Sequence, residues 1–557
     1  MKERIFIGVA WPYANGHIHL GHIAGAYLPA DIFARYHRLK GNDVLMVSGS
    51  DRHGTPIVVR AEQEGISPQE MSARYHHSFL DSWQRLGITF DLFTGTDTPN
   101  HHKLSQDFFL ALMDRGYIYR GAMPLLYCNN CRRFLPDRYV EGTCPYCKFE
   151  GTRGDQCDGC GKPLNPEDLV DPRCRKCGST PEVRQSEHFF LRLSAFNDKL
   201  SEWVKGQSHW KQNVLNFTAG FLSEGLKDRA ITRDLEWGVA VPVDGFNDKR
   251  IYVWFEAVIG YLSASVEWAQ RSGDAGRWLE FWHGDTKSYY FVGKDNIIFH
   301  TVIWPAMLMG YSGLNLPYDV PANEFLTING KKLSTSRNWA VWLPDYLERY
   351  DPDPLRYFLS VNMPEDADSD FSWREFVRRN NDELVATYGN LVHRVLTFTY
   401  RNFDGRVPAP GELDARSKEL LQKSDDALKA VDDLLYRCRF REPVRVAMGL
   451  AQEANRYLDE KAPWKALKAD RDGAATSLYV ALSVISCLKT LLAPFLPFTS
   501  EKLHRMLGFE GGLGEGGWSI GKVVPGQALI SPEPLFTKLE DSIVAEEDAR
   551  LGVGGAG

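Results

Sequence analysis

The 557-residue sequence has no run of about 18 apolar residues, and its N-terminus enters a strand-like stretch almost at once. Neither a membrane span nor a secretory signal is therefore expected, and the reading is cytoplasmic. Positive charge is not in excess either: 65 Lys and Arg face 72 Asp and Glu, a formal net charge of −7. That excludes a globally basic nucleic-acid coat and leaves any RNA contact to local patches. No internal repeat is found, which removes solenoids and propellers. Cysteine is almost missing outside one segment. Of ten, only Cys438 and Cys487 lie elsewhere, in apolar helix-like surroundings that suit inert core thiols.

The other eight cysteines form four C-x-x-C pairs: Cys128/Cys131, Cys144/Cys147, Cys157/Cys160 and Cys174/Cys177. Glycine, proline and charge fill the gaps between them, so this segment buries little apolar surface and needs another source of stability. Two closed tetrahedral zinc sites of four thiolates each supply it and leave no open position for catalytic water. Short knuckles in a cytosolic chain do not suit a disulfide framework. Pairing first with second and third with fourth is the simplest scheme, and a nested scheme fits the gaps equally.

The chain is too long for one ordinary domain. Strand-like and helix-like runs alternate over 1–120, as in half of a parallel nucleotide-binding sheet. An insertion with the knuckles at 128–177 occupies 121–240, and the second half of the sheet 241–329. A loop and following helices cover 330–372. Long helical patterns, such as Asn380 to Phe403 and Ala447 to Lys461, then make a bundle over 373–510. The glycine-rich, acidic stretch 511–557 reads as a short return segment with a disordered end.

Between the strand-like Ile5 to Ala10 and the helix-like Ile23 to Lys40 lies Trp11-Pro-Tyr-Ala-Asn-Gly-His-Ile-His-Leu-Gly-His22. Unpaired N–H groups and the positive end of a helix dipole suit this turn to a phosphate-bearing ligand. Neutral histidines can donate to phosphate oxygens, and Gly21 lacks a Cβ where a flat base would lie. Far downstream, after the strand-like Glu324 to Ile328, comes the polar loop Gly330-Lys-Lys-Leu-Ser-Thr-Ser336. Together these resemble the HIGH and KMSKS signatures of class I aminoacyl-tRNA synthetases. Within that class, Gly49-Ser-Asp-Arg-His-Gly-Thr-Pro56 is similar to methionyl-tRNA synthetases rather than to the isoleucine, leucine and valine enzymes. So are Tyr252-Val-Trp-Phe-Glu-Ala-Val-Ile-Gly-Tyr261, Phe291-Val-Gly-Lys-Asp295 through His300, and Lys461-Ala-Pro-Trp464. The resemblance spans about residues 4 to 505.

The resemblance implies a Rossmann-type doubly wound α/β sheet with a zinc-knuckle insertion, followed by an α-helical anticodon-binding bundle. It implies a methionine–tRNA ligase that uses ATP and Mg²⁺ to form methionyl adenylate and loads tRNA(Met), with the chain acting as a monomer. His19, His22 and Lys332 would be catalytic, and no general base is needed because the attacking carboxylate is already ionised. Gly21, Gly293, Asp295, Lys331, Lys332, Ser334 and Ser336 would bind ATP, with Asp295 also a candidate helix N-cap. Asp51 would hold the methionine ammonium. Ala10, Trp11, Tyr13, Trp254, Ala257, Tyr261 and His300 would line the thioether slot, with the Tyr261 hydroxyl a candidate donor to sulfur. Asn390 and Arg394, four apart on one helix face, and Trp464 would read the anticodon.

Three positions depart from the family pattern: Thr335 replaces a second signature lysine, Trp11 a leucine and Val258 a proline. Lys331 or Arg337 is the candidate replacement charge. Other readings are a tRNA-binding homologue without full catalysis, motivated by Thr335, and a class I synthetase for another apolar amino acid. Against the latter, the insertion leaves no room for a large editing domain. A zinc-ribbon nucleic-acid-binding protein would explain the cysteines alone.

Overall fold

The computed structural model describes residues 2–135, 139–154, 157, 164, 166–335 and 337–553. At its centre, β1 (Arg4–Val9), β2 (Asp43–Ser50), β3 (Leu92–Gly95), β4 (Lys287–Gly293) and β5 (Ala322–Asn323) form an all-parallel sheet in the order β5-β4-β1-β2-β3. The order reverses between β1 and β4, so a cleft opens there at the carboxyl ends of the strands. β1 is apolar on both faces, as a central parallel strand must be. Ile5, Ile7 and Val9 face one core, shared with Phe33 of α1 (helical over 20–39), while Phe6 faces a second. That second core contains Phe108 of α2 (Pro99–Asp114) and Ile259 of α3 (Val253–Arg271).

Helix α1 is α-helical at Leu20–His22 and Leu28–Leu39 and passes through a π turn at Ile23–Tyr27. The helix expected after Gly293 is likewise mixed, with a 3-10 turn at Lys294–Asn296, a π turn at Phe299–Ile303 and an α-helix at Trp304–Tyr311. Helical periodicity in a sequence does not separate these three windings.

Between α2 and α3 a long antiparallel ribbon, paired from Ile118 with Leu191 to Tyr127 with Glu182, carries the cysteine knuckles outward. The core at its tip is small, built from Leu126, Leu135, Tyr139, Val140, Leu164, Leu169 and the cysteines themselves.

The C-terminal half is helical. Ala415–Tyr436, Arg441–Lys461 and Arg471–Leu492 pack on one another. The last is long and apolar enough to cross a membrane by composition, yet 83% of its most apolar window is buried inside the bundle, as the central helix of a packed domain requires. Arg356 ties this region to the sheet domain. Its Nη2 lies 2.7 Å from Asp31 Oδ2 with both side chains wholly buried, and it donates to the carbonyls of Pro494 and Phe495.

The disordered end expected beyond residue 511 is corrected by the packing of the chain through Val553. Trp518 packs edge-on against Tyr36, and its backbone N–H donates to Leu39 O at 2.8 Å. Val523, Leu529 and Leu551 are buried, and a helix forms at Ser542–Asp548. Glu547, also buried, pairs with Arg349 at 2.8 Å. Widely spaced apolar anchors on a polar chain carry no periodicity, which is why composition alone misreads them.

Candidate active site

All eight residues expected around methionine line one cavity of about 90 Å³ at the switch-point cleft: Ala10, Trp11, Tyr13, Asp51, Trp254, Ala257, Tyr261 and His300. Val253, Val258, Asn296 and Phe299 complete the wall. These four were missed, although each neighbours or lies one helical turn from an expected residue. Beyond the sheet edge β1 and β2 continue side by side: Asp51 N–H donates to Pro12 O and Ala14 N–H to Asp51 O, both at 2.8 Å. This holds the Asp51 carboxylate, buried at 3% exposure, against the turn. Burial, and after it the charge of Glu256, push the Asp51 carboxyl well above the usual carboxylate range, against the bond it accepts from His53 N–H.

The departure at Trp11 is accommodated by glycine. A Cβ on Gly49 would lie 2.3 Å from the indole, and one on Gly260 2.8 Å from it. Tyr261 packs as closely, since a Cβ on Gly8 would meet its ring at 2.8 Å. The Tyr261 hydroxyl lies 2.7 Å from His300 Nε2, and His300 Nδ1 donates to Asn296 O at 2.9 Å. Burial lowers the His300 pKa to about 4, so the ring is neutral near pH 7 with its single proton on Nδ1. The phenol must then donate to Nε2. The sequence-based expectation of a Tyr261 proton for sulfur is thereby corrected.

His19 and His22 stack with ring centroids 3.7 Å apart, and His19 N–H donates to His22 Nδ1 at 3.2 Å. Burial lowers both, His22 to about 4 and His19, which also feels His22, well below its usual value. They can therefore meet phosphate as neutral hydrogen-bond donors rather than cations. His17 turns away and bonds Ser78 at 2.8 Å.

The lysine loop is a hairpin. Thr327 pairs with Lys332 and Ile328 with Lys331 across Asn329-Gly330, both with positive φ. An Asn-Gly pair is the favoured sequence for such a two-residue turn. The loop reaches the first signature directly: Leu20 N–H donates to Val341 O, Leu343 N–H to Ile18 O, and a Cβ on Gly21 would sit 3.5 Å from Leu333. Lys331 and Lys332 are exposed, with Lys331 Nζ over the Trp339 ring at 4.7 Å. Arg337 Nε donates to Ser334 Oγ at 3.1 Å, and Thr335 is exposed. Ser336 lies outside the described residues.

Gly293 ends β4 at the mouth of the cleft, where a Cβ would come within 2.9 Å of Asp295 Oδ1. Gly293, not Asp295, caps the helix turn, so the N-cap expectation for Asp295 is corrected; that carboxylate is exposed within the first turn.

The cysteine pairs nest. Cys128, Cys131, Cys174 and Cys177 converge, with sulfurs of Cys128 and Cys177 3.4 Å apart and those of Cys131 and Cys174 3.8 Å apart. The inner group is Cys144, Cys147 and Cys157, with 3.5 Å between Cys147 and Cys157; Cys160 lies outside the described residues. Zinc–sulfur bonds of about 2.3 Å at tetrahedral angles put sulfurs about 3.8 Å apart, so both clusters fit zinc. Cys438 and Cys487 are buried away from these groups, and burial pushes the Cys487 thiol up to about 12.

In the bundle the Arg394 guanidinium lies over the Trp464 ring at 4.4 Å, and Asn390 is exposed one turn back on the same helix. Arg394 also contacts Asn455 at 3.2 Å and Asp459 at 3.4 Å.

A parallel sheet whose switch-point cleft is faced by a His-Leu-Gly-His turn and a lysine hairpin, with a helical bundle behind, defines a class I aminoacyl-tRNA synthetase. Residues 5–396 match the family described as "tRNA synthetases class I (M)", and residues 407–555 match "Anticodon binding domain of methionyl tRNA ligase". The chain is 62% identical over 553 residues to a methionine–tRNA ligase of Dehalococcoides mccartyi, covering 99% of this chain and 100% of that one. It is 54% identical over 579 residues to that of Thermomicrobium roseum, covering 99% of each. Its fold is similar to Mycobacterium tuberculosis methionyl-tRNA synthetase in complex with methionyl-adenylate, with a TM-score of 0.80 at 28% identity over 96% of this chain and 100% of that chain. The chain belongs to the methionyl-tRNA synthetase family, whose reaction joins methionine to tRNA(Met) at the expense of ATP.

Proposed function

We propose that the cleft activates methionine by positioning and electrostatics, without a general base because the attacking carboxylate is already ionised. The methionine carboxylate attacks the α-phosphorus of ATP and the bond to the β-phosphate oxygen breaks, releasing pyrophosphate. A hydroxyl of the tRNA 3′ end then attacks the adenylate carbonyl, the bond from that carbonyl to the phosphate oxygen breaks, and the hydroxyl proton passes to the phosphate of the departing AMP. Asp51 holds the α-ammonium, and Ala10, Trp11, Tyr13, Trp254, Ala257, Tyr261 and His300 shape the thioether slot. His19 and His22 donate to phosphate oxygens as the transition state forms, and Lys332 neutralises charge moving onto pyrophosphate. Gly21 lies under the nucleotide, Gly293 and Asp295 face the ribose, and Lys331, Ser334 and Ser336 complete the ATP contacts. Mg²⁺ enters bound to ATP and shares the neutralisation of its phosphates.

The observation that carries this reading is convergence on one cavity of Asp51, the only carboxylate among its described lining residues, with seven apolar or aromatic neighbours from three other chain segments. A zwitterion with an apolar side chain suits that arrangement. Cys160 is proposed as the fourth inner zinc ligand, and both zincs as structural. Asn390, Arg394 and Trp464 are proposed to read anticodon bases, supported by the Arg394–Trp464 stack. The domain limits proposed from the sequence follow the same division: 1–120 and 241–329 for the sheet, 121–240 for the insertion, 330–372 for the loop region, 373–510 for the bundle and 511–557 for the return segment. A cytoplasmic monomer is proposed, the location because the proposed zinc thiolates need reducing surroundings.

Pyrophosphate exchange into ATP across a panel of amino acids tests the reading. Methionine should stimulate it far more than leucine, isoleucine or cysteine, and Asp51→Asn should abolish the methionine response. Equal stimulation by another amino acid, or an undisturbed Asp51→Asn enzyme, would overturn it.

A further inference from the structure

Lys332 stands at the end of a hairpin that cannot fix it alone. The first strand, Leu326–Ile328, is paired on both sides, with Lys331–Lys332 and with Ser369–Phe371. Among the described residues the second strand pairs only with the first, through two residues. So short an edge is weakly held by its own ladder, whereas a cation that must meet departing pyrophosphate needs a defined place. Contacts beyond the hairpin have to supply it.

Just past Lys332 the chain closes a second loop, in which Ser334 N–H donates to Trp339 O at 3.0 Å and Trp339 N–H to Ser334 O at 2.9 Å. Asn338 turns this loop with a φ of 49°, a left-handed conformation that asparagine tolerates better than most residues. Its side chain makes two bonds outside the loop. Trp342 Nε1 donates to Asn338 Oδ1, and Asn338 Nδ2 donates to Val553 O, both at 2.7 Å. An indole N–H only donates and a peptide carbonyl only accepts, so the two partners leave the amide one orientation. The backbone adds a third link, Gly552 N–H to Asn338 O at 3.0 Å.

Both partners are themselves held. Trp342 forms an antiparallel bridge with His19, their rings 5.9 Å apart. On the other side, Leu551 is buried, and Glu547 accepts from Arg349 Nε at 2.8 Å and from the Tyr350 hydroxyl at 2.9 Å. Asp548 Oδ1 lies 3.4 Å from Asn329 Nδ2. The segment from Ser542 to Val553 therefore meets the hairpin at its turn and the following loop at Asn338.

We propose that Asn338 is a positioning residue for adenylate formation: by joining Trp342, beside His19, to the Val553 carbonyl, it fixes the loop that carries Lys332 against the phosphate-facing turn. Asn338 touches no substrate in this role and acts only through Lys332. The inference rests on the reading of Lys332 as the cation that meets pyrophosphate.

Asn338→Gly in the full chain tests it, because glycine keeps the left-handed turn and removes only the two side-chain bonds. Single-turnover adenylate formation, read by rapid quench, should slow by roughly 10- to 100-fold, the scale of a misplaced catalytic group. The methionine dissociation constant, read by calorimetry, should not change. Amides of residues 330–335 should exchange with deuterium faster than in the parent. In the Lys332→Ala background the same substitution should change the rate by less than about twofold, since residues that act as one unit are not additive. Equal losses in the two backgrounds would make Asn338 a packing residue and overturn the proposal, as would a parental rate or parental exchange in Asn338→Gly. An unchanged rate in Lys332→Ala alone would instead overturn the reading of Lys332 beneath it.

Discussion

The phenol of Tyr261 donates to His300 Nε2 at 2.7 Å, so the polar end of the methionine cavity is a closed pair rather than a free hydroxyl. In the proposed methionine site, sulfur would then meet a ring edge and an oxygen lone pair, leaving selection against leucine to shape and polarisability.

Tyr261→Phe would leave the buried Nε2 without a donor. A lost buried partner costs about 1–3 kcal/mol, or roughly 10- to 100-fold in kcat/KM for methionine. The ratio of methionine to leucine activation should change little, because the hydroxyl does not serve the sulfur. Pyrophosphate exchange with both amino acids reads the two quantities together, and a collapse of the ratio would contradict the hydrogen-bond direction.

Lys332 projects from the hairpin as an exposed cation, near enough to Asp368 to help hold that carboxyl below its usual range. Its charge acts mostly as pyrophosphate departs, so Lys332→Ala should slow single-turnover adenylate formation by roughly 10²–10³ with little change in methionine affinity. Thr335→Lys should be neutral or mildly activating. Arg337→Ala should be harmful only if Arg337 substitutes for the missing lysine. Rapid quench of the three variants separates the cases, and an unchanged Lys332→Ala rate would remove the loop from the chemistry.

The nested clusters make distinct losses on substitution. Cys128→Ser and Cys177→Ser, far apart in sequence, should each cost the same zinc, whereas Cys147→Ser should cost the other. Metal analysis of the purified variants should give about one zinc each, against about two in the parent. Sequential pairing would instead group Cys128 with Cys147.

Acid should destabilise the chain through its buried histidines before its exposed carboxylates protonate. His22, His37, His76, His102 and His300 are each lowered by burial to about 4, whereas an unfolded histidine titrates near about 6.5. Between those values the unfolded chain binds more protons, so stability rises with pH there. This contribution is complete above about 6.5 and is lost as pH falls toward 4. Melting temperature should decline continuously from pH 7 to 5, with uptake of several protons on unfolding near pH 5.5. A flat profile would mean that these rings are charged in the fold.

Local order set much of this chain. A short apolar run followed by a polar, glycine-bearing turn suits a buried parallel strand entering a helix, and Asn329-Gly330 favours its hairpin by conformational preference. The eight residues that line the switch-point cavity were legible because their motifs occur in a known order, and C-x-x-C spacing announced the thiolate clusters because few other structures need it. Three-dimensional proximity decided the rest. Which knuckles share a zinc depends on the ribbon bringing Cys128 and Cys174 side by side, and spacing is silent on that. Trp11 is tolerated because Gly49 and Gly260, from two other segments, make room for its ring. The proton of Tyr261 is assigned by what surrounds it, not by its identity. The return segment is held by isolated anchors such as Trp518 and Glu547, whose partners lie hundreds of residues away. Short-range periodicity carries information about elements, whereas charge, protonation and metal pairing depend on distances that exist only once the chain has folded.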